Sequence, residues 1–317
     1  MVTVLFTSLC FCGCSKTKRS SPGSVVHIAI QPSAAFIPLY IARIKGTIEE
    51  SLKPLNTSVV WQDFESGPPM TQSLAADLSD IGVIGDVPTV TALSNGNTMK
   101  ITGIPASGPD AYAMLARAED TSFNSAADIR GKKIATVFGS TGHNFTKKLL
   151  AANGLTFDDI EFISIAAGDA EDALTSKICD AVVIWEPTVT RLIDSGLAKL
   201  VAKGSETDLR GTNAFVVRTE YMAAHPDVIK VILEQYYQAV QMIPTLDSGT
   251  LAKLSGALKI SRVQVQKIAQ KYDFPVTVSK NDIASLQDTV QFLVTIGNLS
   301  SPYDVSAKID NLFTVQP

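Results

Sequence analysis

Gly139-Ser-Thr-Gly142 has the residue types of an anion cradle. A strand-like run, Lys133–Val137, precedes it and a helical stretch over 144–153 follows. It therefore falls where backbone N–H groups have no intrahelical partner. Such donors, with the helix dipole behind them, suit sulfonate, sulfate, nitrate or carboxylate oxygens. Gly139 and Gly142 allow close approach of the main chain, while Ser140 and Thr141 add hydroxyls. The same hydroxyls suit helix N-capping, and one hydroxyl can do both. Trp185-Glu186 is the second constellation. Trp185, closing an apolar strand, is either a cleft wall or a core residue. Glu186 either caps the helix opened by Pro187 or meets a cationic or polar ligand group. Asp86 holds the matching place before a helix at 88–94, where capping is the simpler role.

Catalytic patterns are absent. The first Gly of Gly139-Ser-Thr-Gly142 stands one residue too close to Ser140 for G-x-S-x-G. No Gly-Lys-Ser/Thr follows, as a P-loop requires, and no G-x-G-x-x-G opens a helix after a strand. His27, His143 and His225 share no ligand spacing with one another or with cysteine. The expectation is a binder rather than an enzyme, with no catalytic residue, metal or cofactor.

The elements that would position these residues come in two copies. Leu74-Ala-Ala-Asp-Leu-Ser-Asp80 runs into Ile81-Gly-Val-Ile-Gly-Asp-Val-Pro-Thr-Val-Thr-Ala-Leu93, and Leu174-Thr-Ser-Lys-Ile-Cys-Asp180 into Ala181-Val-Val-Ile-Trp-Glu-Pro-Thr-Val-Thr-Arg-Leu192. One single-residue gap aligns them. Each copy reads as helix, buried strand, acidic turn and a new helix with proline at its start. Matched strand ends imply two α/β lobes with a cleft between them, because ligands favour the carboxyl ends of strands in open sheets. Strands at Val25–Ile30, 57–64 and 100–104 join the first copy, and strands at 133–137, 161–165 and 199–202 the second. From Pro226 the chain is mostly helical, with Val228, Val231, Ile232, Tyr236 and Val240 on a core-facing stripe and further helices near 261–271 and 281–296. The expected organisation is a leader and tether over 1–24, a first lobe of 25–108 plus 213–317, and a second lobe of 109–212.

Composition agrees. A chain of 317 residues, 45% hydrophobic and 18% charged, is long enough for two globular domains. Its net charge of −4 provides no broad basic field for nucleic acid. Only Cys179 lies in the body, so no internal disulfide is available there, and it reads as a small buried hydrophobe. Met1 to Gly13 is uncharged, apolar and shorter than the roughly 18 residues of a membrane span, the length of a signal-peptide core. Phe11-Cys-Gly-Cys14 resembles a bacterial lipobox, which makes Cys14 the lipidation candidate. It departs from that pattern in having Phe at position 11 and no basic residue before the apolar run. Ser15 to Ser24 reads as a tether.

Trp61-Gln-Asp-Phe-Glu-Ser-Gly-Pro68, Ile81-Gly-Val-Ile-Gly-Asp-Val-Pro88, Gly139-Ser-Thr-Gly-His-Asn144 and Ile184-Trp-Glu-Pro187 together resemble the aliphatic-sulfonate, taurine and nitrate substrate-binding proteins of ABC importers. The resemblance covers roughly residues 25–215. It implies a two-lobed periplasmic-binding-protein type II fold, α/β, each lobe a mixed sheet flanked by helices, closing on ligand by a hinge. It also implies that Ser140, Thr141, His143 and Asn144 form the anion end and Trp185 the apolar wall. Gln31 and Ser33, in the turn after the first strand, and Gly85-Asp86 would face them. Pro32 departs from the basic or polar residue frequent there. The implied partners are a small anion, a permease and its ATPase, for a monomer anchored by lipid at the periplasmic or extracellular face of the cytoplasmic membrane. On the same fold, a pyrimidine or thiamin-precursor binder remains an alternative, with Trp185 stacking and Glu186 hydrogen-bonding. A thiamin-pyrimidine synthase, resembling a form with a cysteine-rich iron site, is disfavoured by the single body cysteine.

Overall fold

The duplicated segment occupies the same place in each of two sheets. A computed structural model describes residues 23–311; the leader, Cys14, most of the tether and the last six residues lie outside the described residues. Strands β1 (Ser24–Ile30), β2 (Thr57–Asp63), β3 (Ile81–Gly85) and β4 (Met99–Gly103) belong to the first sheet. Strands β5 (Tyr112–Arg117), β6 (Lys133–Thr136), β7 (Glu161–Ser164), β8 (Ala181–Trp185) and β9 (Ala198–Lys203) form the second, and β10 (Asn213–Arg218) returns to the first. The orders β2-β1-β3-β10-β4 and β7-β6-β8-β5-β9 are topologically equivalent. In each, four strands run in one direction and the strand after the crossing, β10 or β5, is antiparallel to both its neighbours.

The repeated residues do the same work twice. β3 and β8 are buried along their whole length, hence their continuous apolar runs. Asp80 accepts a hydrogen bond from His27 N–H at 2.8 Å, and Asp180 one from Lys133 N–H at 2.8 Å. Each aspartate thereby fastens the start of a central strand to the parallel strand beside it. Their backbone N–H groups complete the clasp through His27 and Lys133 carbonyls. Arg218 of β10 pairs with Asp80 and Arg117 of β5 with Asp180, so the cation is duplicated as well. Asp77 and Lys177, at matching positions, both take left-handed backbone conformations (φ 58° and 60°) where the preceding helix turns into the strand.

Helices α1 (Ile37–Lys45), α2 (Thr47–Leu52), α3 (Gly67–Ala75) and α4 (Asp86–Leu93) flank the first sheet, and α5 (Thr141–Ala152), α6 (Ala170–Thr175) and α7 (Thr188–Asp194) the second. α5 begins three residues before the expected 144, because Ser140 serves as its N-cap. Helices α8 (Thr219–Ala224), α9 (Pro226–Met242), α10 (Ser248–Leu258), α11 (Arg262–Ala269) and α12 (Lys280–Thr295) follow. α9 packs on α1 and α2, and α12 on α4. Of the expected stripe on α9, Val228, Ile232 and Tyr236 are buried, while Val231 and Val240 are partly buried against the core. Tyr236 donates to the Pro105 carbonyl at 2.8 Å and so ties α9 to a crossing segment. α10 lies in the stretch from Pro226 that reads as mostly helical, and Asp247 caps it by accepting from Thr250 N–H.

Two crossing segments join the sheets and lie side by side. Asn213 N–H donates to Ala106 O at 2.8 Å, and Gly108 N–H to Arg210 O at 3.1 Å. At Gly211, φ is +65° and a Cβ would lie 2.7 Å from Gly108 O, so only glycine allows the two chains this close. Among the described residues no helix is long and apolar enough to cross a membrane.

Candidate functional site

A narrow cavity of about 10 Å³, room for about one water molecule, lies between the facing ends of the two sheets. From the first sheet's side it is lined by Gln31 and Ser33 after β1, Gly67 of α3, Gly85 of β3, Pro88 of α4 and Asn213 of β10. Tyr112 of β5, Ser140 and Thr141 at the start of α5, and Trp185 of β8 close the other side. Two register pairs carry the symmetry: Gly85 lies opposite Asn213, and Tyr112 opposite Trp185. Equivalent strand ends thus give one wall with no side chain at its centre and one wall of two aromatic rings.

At the start of α5, the Ser140 hydroxyl accepts from His143 N–H at 3.3 Å and donates to Val137 O at 2.7 Å. Its own N–H is bonded to Val137 O as well. Ser140 is therefore a fully engaged N-cap. The N–H groups of Thr141 and Gly142, by contrast, have no hydrogen-bond partner among the described residues. These are the orphan donors of a helix start, and Thr141 lines the cavity.

The Thr141 hydroxyl is the point of contact between the two sides. It is hydrogen-bonded to the Asp86 carboxylate and the Tyr112 hydroxyl. A Cβ on Gly85 would sit 2.3 Å from it. Asp86 is fully buried and accepts from Val87 N–H and Asn144 Nδ2, both at 2.8 Å, and from Thr289 Oγ1 at 3.2 Å. All of these donors are neutral. Burial pushes its carboxyl above the usual carboxylate range, and the hydrogen bonds oppose that shift.

Asp86, His143, Asn144 and Glu186 do not line the cavity. The His143 ring lies among Phe138, Phe157, Phe162 and Phe292, with ring centres 4.8–5.2 Å away. Burial lowers its pKa to about 4, so the imidazole is neutral at pH 7. The Asn144 Nδ2 is spent on Asp86 and Thr289, while its Oδ1 is buried without a partner. Glu186 is wholly buried behind the strand end. It accepts from Thr190 N–H at 3.0 Å and Thr190 Oγ1 at 2.8 Å, and pairs with Lys271. Its place is that of a helix cap held by a distant cation. Asp86 differs from the expected cap too, because α4 starts at Asp86 itself and Gly85 is the N-cap residue.

Sequence reasoning overlooked Gly67, Pro88, Tyr112 and Asn213. Tyr112 and Asn213 are the first residues after each crossing, and their strands pair antiparallel with the ends of β8 and β3. A signal was present, a polar residue opening each return strand, but only the register gives it meaning.

Further contacts bridge the two sides around the cavity. Glu65 accepts from Gly168 N–H at 2.7 Å, Ala34 N–H donates to Glu186 O at 3.2 Å, and Lys148 pairs with Asp288. The lining of the cavity itself carries no charged side chain. Such an arrangement can hold a small polar molecule by hydrogen bonding in a low-dielectric setting.

Comparison with known proteins agrees with this geometry. The NMT1/THI5-like family matches residues 59–244. A protein of Bacillus subtilis (strain 168) named as an aliphatic sulfonates-binding protein is 30% identical over 291 residues, covering 91% of this chain and 86% of its own. The alkanesulfonate-binding protein SsuA from Xanthomonas axonopodis pv. citri, solved bound to MOPS, superposes with a TM-score of 0.81 at 22% identity, covering 92% of this chain and 100% of that one. The periplasmic aliphatic sulphonate binding protein SsuA from Escherichia coli gives 0.78 at 21% identity, covering 90% and 97%. With the family match spanning more than half of its length, the chain belongs to the NMT1/THI5-like family and has the two-lobed α/β fold of the periplasmic binding proteins.

Proposed function

We propose that this protein is the extracytoplasmic substrate-binding component of an ABC importer and captures a small sulfonate-like anion of the alkanesulfonate or taurine class. The observation that carries this reading is the pair of unpartnered N–H groups at Thr141 and Gly142, at the start of a helix whose first residue lines the cavity. Sulfonate oxygens accept such bonds without needing a cation, and the helix dipole adds to the attraction. Trp185 and Tyr112 offer apolar area to a short tail. The names of the Bacillus and Escherichia relatives point the same way.

Residues 25–108 with 213–311 would move as one lobe and 109–212 as the other, hinged where the crossing segments meet. Closure brings Thr141 over Gly85, and the closed protein presents the ligand to a permease served by an ATPase. The protein acts as a monomer, held to the membrane by a lipid on Cys14. It makes and breaks no bond in its ligand; Tyr112 is the one titratable side chain in the lining, and it is committed to Thr141 and Asn213.

Calorimetry and thermal shift with ethanesulfonate, taurine, nitrate and a hydroxymethylpyrimidine test the reading. A sulfonate present at a hundred times its Kd should stabilise the fold by about 2.7 kcal/mol. Binding of the pyrimidine with none of the sulfonates would replace this reading by the alternative one.

A further inference from the structure

One side chain of the cavity wall has hydrogen-bonding capacity at both ends and uses neither. Gln31 is 7% exposed, and its Oε1 is enclosed with no partner. No hydrogen bond involves its Nε2 either, among the described residues. An amide rotates readily about its last torsion, so it can present the carbonyl or the NH2 to the cavity. Its situation differs from that of the other polar side chains in the lining, which, Trp185 apart, are hydrogen-bonded within the protein. The opposite side of the cavity offers the unpartnered N–H of Thr141 and the unpaired indole N–H of Trp185, beside hydroxyls of Ser140, Thr141 and Tyr112 already engaged within the protein.

We infer that the ligand is a short sulfonate with a hydroxyl on the neighbouring carbons, and that Gln31 is the residue that reads that hydroxyl. This rests on the sulfonate reading above. The anionic head would take the donors at the α5 start, leaving the Gln31 carbonyl as the unmet acceptor across the cavity. A plain alkanesulfonate leaves that carbonyl buried and unpaired, which is costly. A hydroxyl on the ligand donates to it. An ammonium suits the place less well. It brings three N–H groups and a charge into a lining without a carboxylate. Asp86, the nearest candidate, has both oxygens occupied by protein donors.

The test is isothermal calorimetry of the intact protein with three ligands of equal length: ethanesulfonate, 2-hydroxyethanesulfonate and 2-aminoethanesulfonate. The hydroxyl compound should bind about tenfold tighter than ethanesulfonate, the factor expected of one hydrogen bond that also relieves a buried carbonyl. It should also bind tighter than the amine. In Gln31→Met, which keeps the volume, the ratio of hydroxyl to plain compound should fall to about one. Equal or tighter binding of ethanesulfonate by the wild type, or a ratio that survives Gln31→Met, overturns the inference while leaving the sulfonate reading in place. Failure of all three to bind overturns both. The wild-type ratio stands even if the variant does not fold.

Discussion

Gly85→Ala separates binding from folding in this protein. The added Cβ would lie 2.3 Å from Thr141 Oγ1, more than an ångström inside ordinary contact. The threonine hydroxyl cannot simply step aside, because it is bonded to Asp86 and to Tyr112. Turning it away strips a donor from a buried carboxylate, a loss of about 1.5–3 kcal/mol. Only the closed arrangement carries that cost, since parted lobes take Thr141 away from Gly85. Ligand affinity should therefore fall by about 10- to 150-fold. Global stability should hold or rise slightly, because Gly85 has an extended backbone (φ −69°, ψ 177°) that alanine adopts freely. The assay is calorimetric titration with the tightest-binding sulfonate, paired with urea unfolding of the free protein. In a Thr141→Ala background the overlap disappears, and Gly85→Ala should then cost little, which a double-mutant cycle measures directly. Affinity within twofold of wild type, or an undiminished loss in the Thr141→Ala background, would refute the reasoning.

Two further expectations concern stability. His143 titrates near 6.5 when unfolded but at about 4 in the fold, so the unfolded state binds more protons as pH falls through that window and stability is lost there. Between pH 7 and pH 5 the loss attributable to this residue is about 2 kcal/mol. Urea titrations at both pH values should show that difference shrinking by the same amount in His143→Phe, and an unchanged pH slope would sink the assignment. Lys271→Met leaves the buried Glu186 without its cation. It should destabilise by about 2–3 kcal/mol, at or below the low end for buried pairs because Lys271 itself is partly exposed. Wild-type stability in that variant would show that Glu186 is held well enough by Thr190 alone.

Much of the scaffold was legible because it is written locally and written twice. The run Ile81-Gly-Val-Ile-Gly85 and its counterpart Ala181-Val-Val-Ile-Trp185 are apolar throughout since strands buried on both faces must be. Asp80 and Asp180 recur because each secures a central strand to its neighbour. The Ser140 cap was equally visible, although its presence moves the helix start upstream of where the apolar periodicity begins. Functional roles were harder to read, because a carboxylate or an imidazole has no address in sequence. Glu186 resembles a cleft acid until Lys271, 85 residues further on, is brought to it. His143 resembles a polar ligand contact until four phenylalanines surround it.

By itself the sequence determined what depends on short-range chemistry: two copies of a helix–strand–helix unit, the strand ends at Gly85 and Trp185, and a glycine-flanked pair of hydroxyl residues at a helix start. Tertiary structure decided which of these groups remain free. Tyr112 and Asn213 reach the cavity only through antiparallel register with β8 and β3. Ser140 is consumed as a cap, the Asn144 amide NH2 is taken up by Asp86 between the two sides, and Gln31 is left at the cavity with an enclosed carbonyl and no donor. The physical reason is that hydrogen-bonding capacity belongs to residue type, whereas its vacancy depends on every neighbour that packing brings within reach.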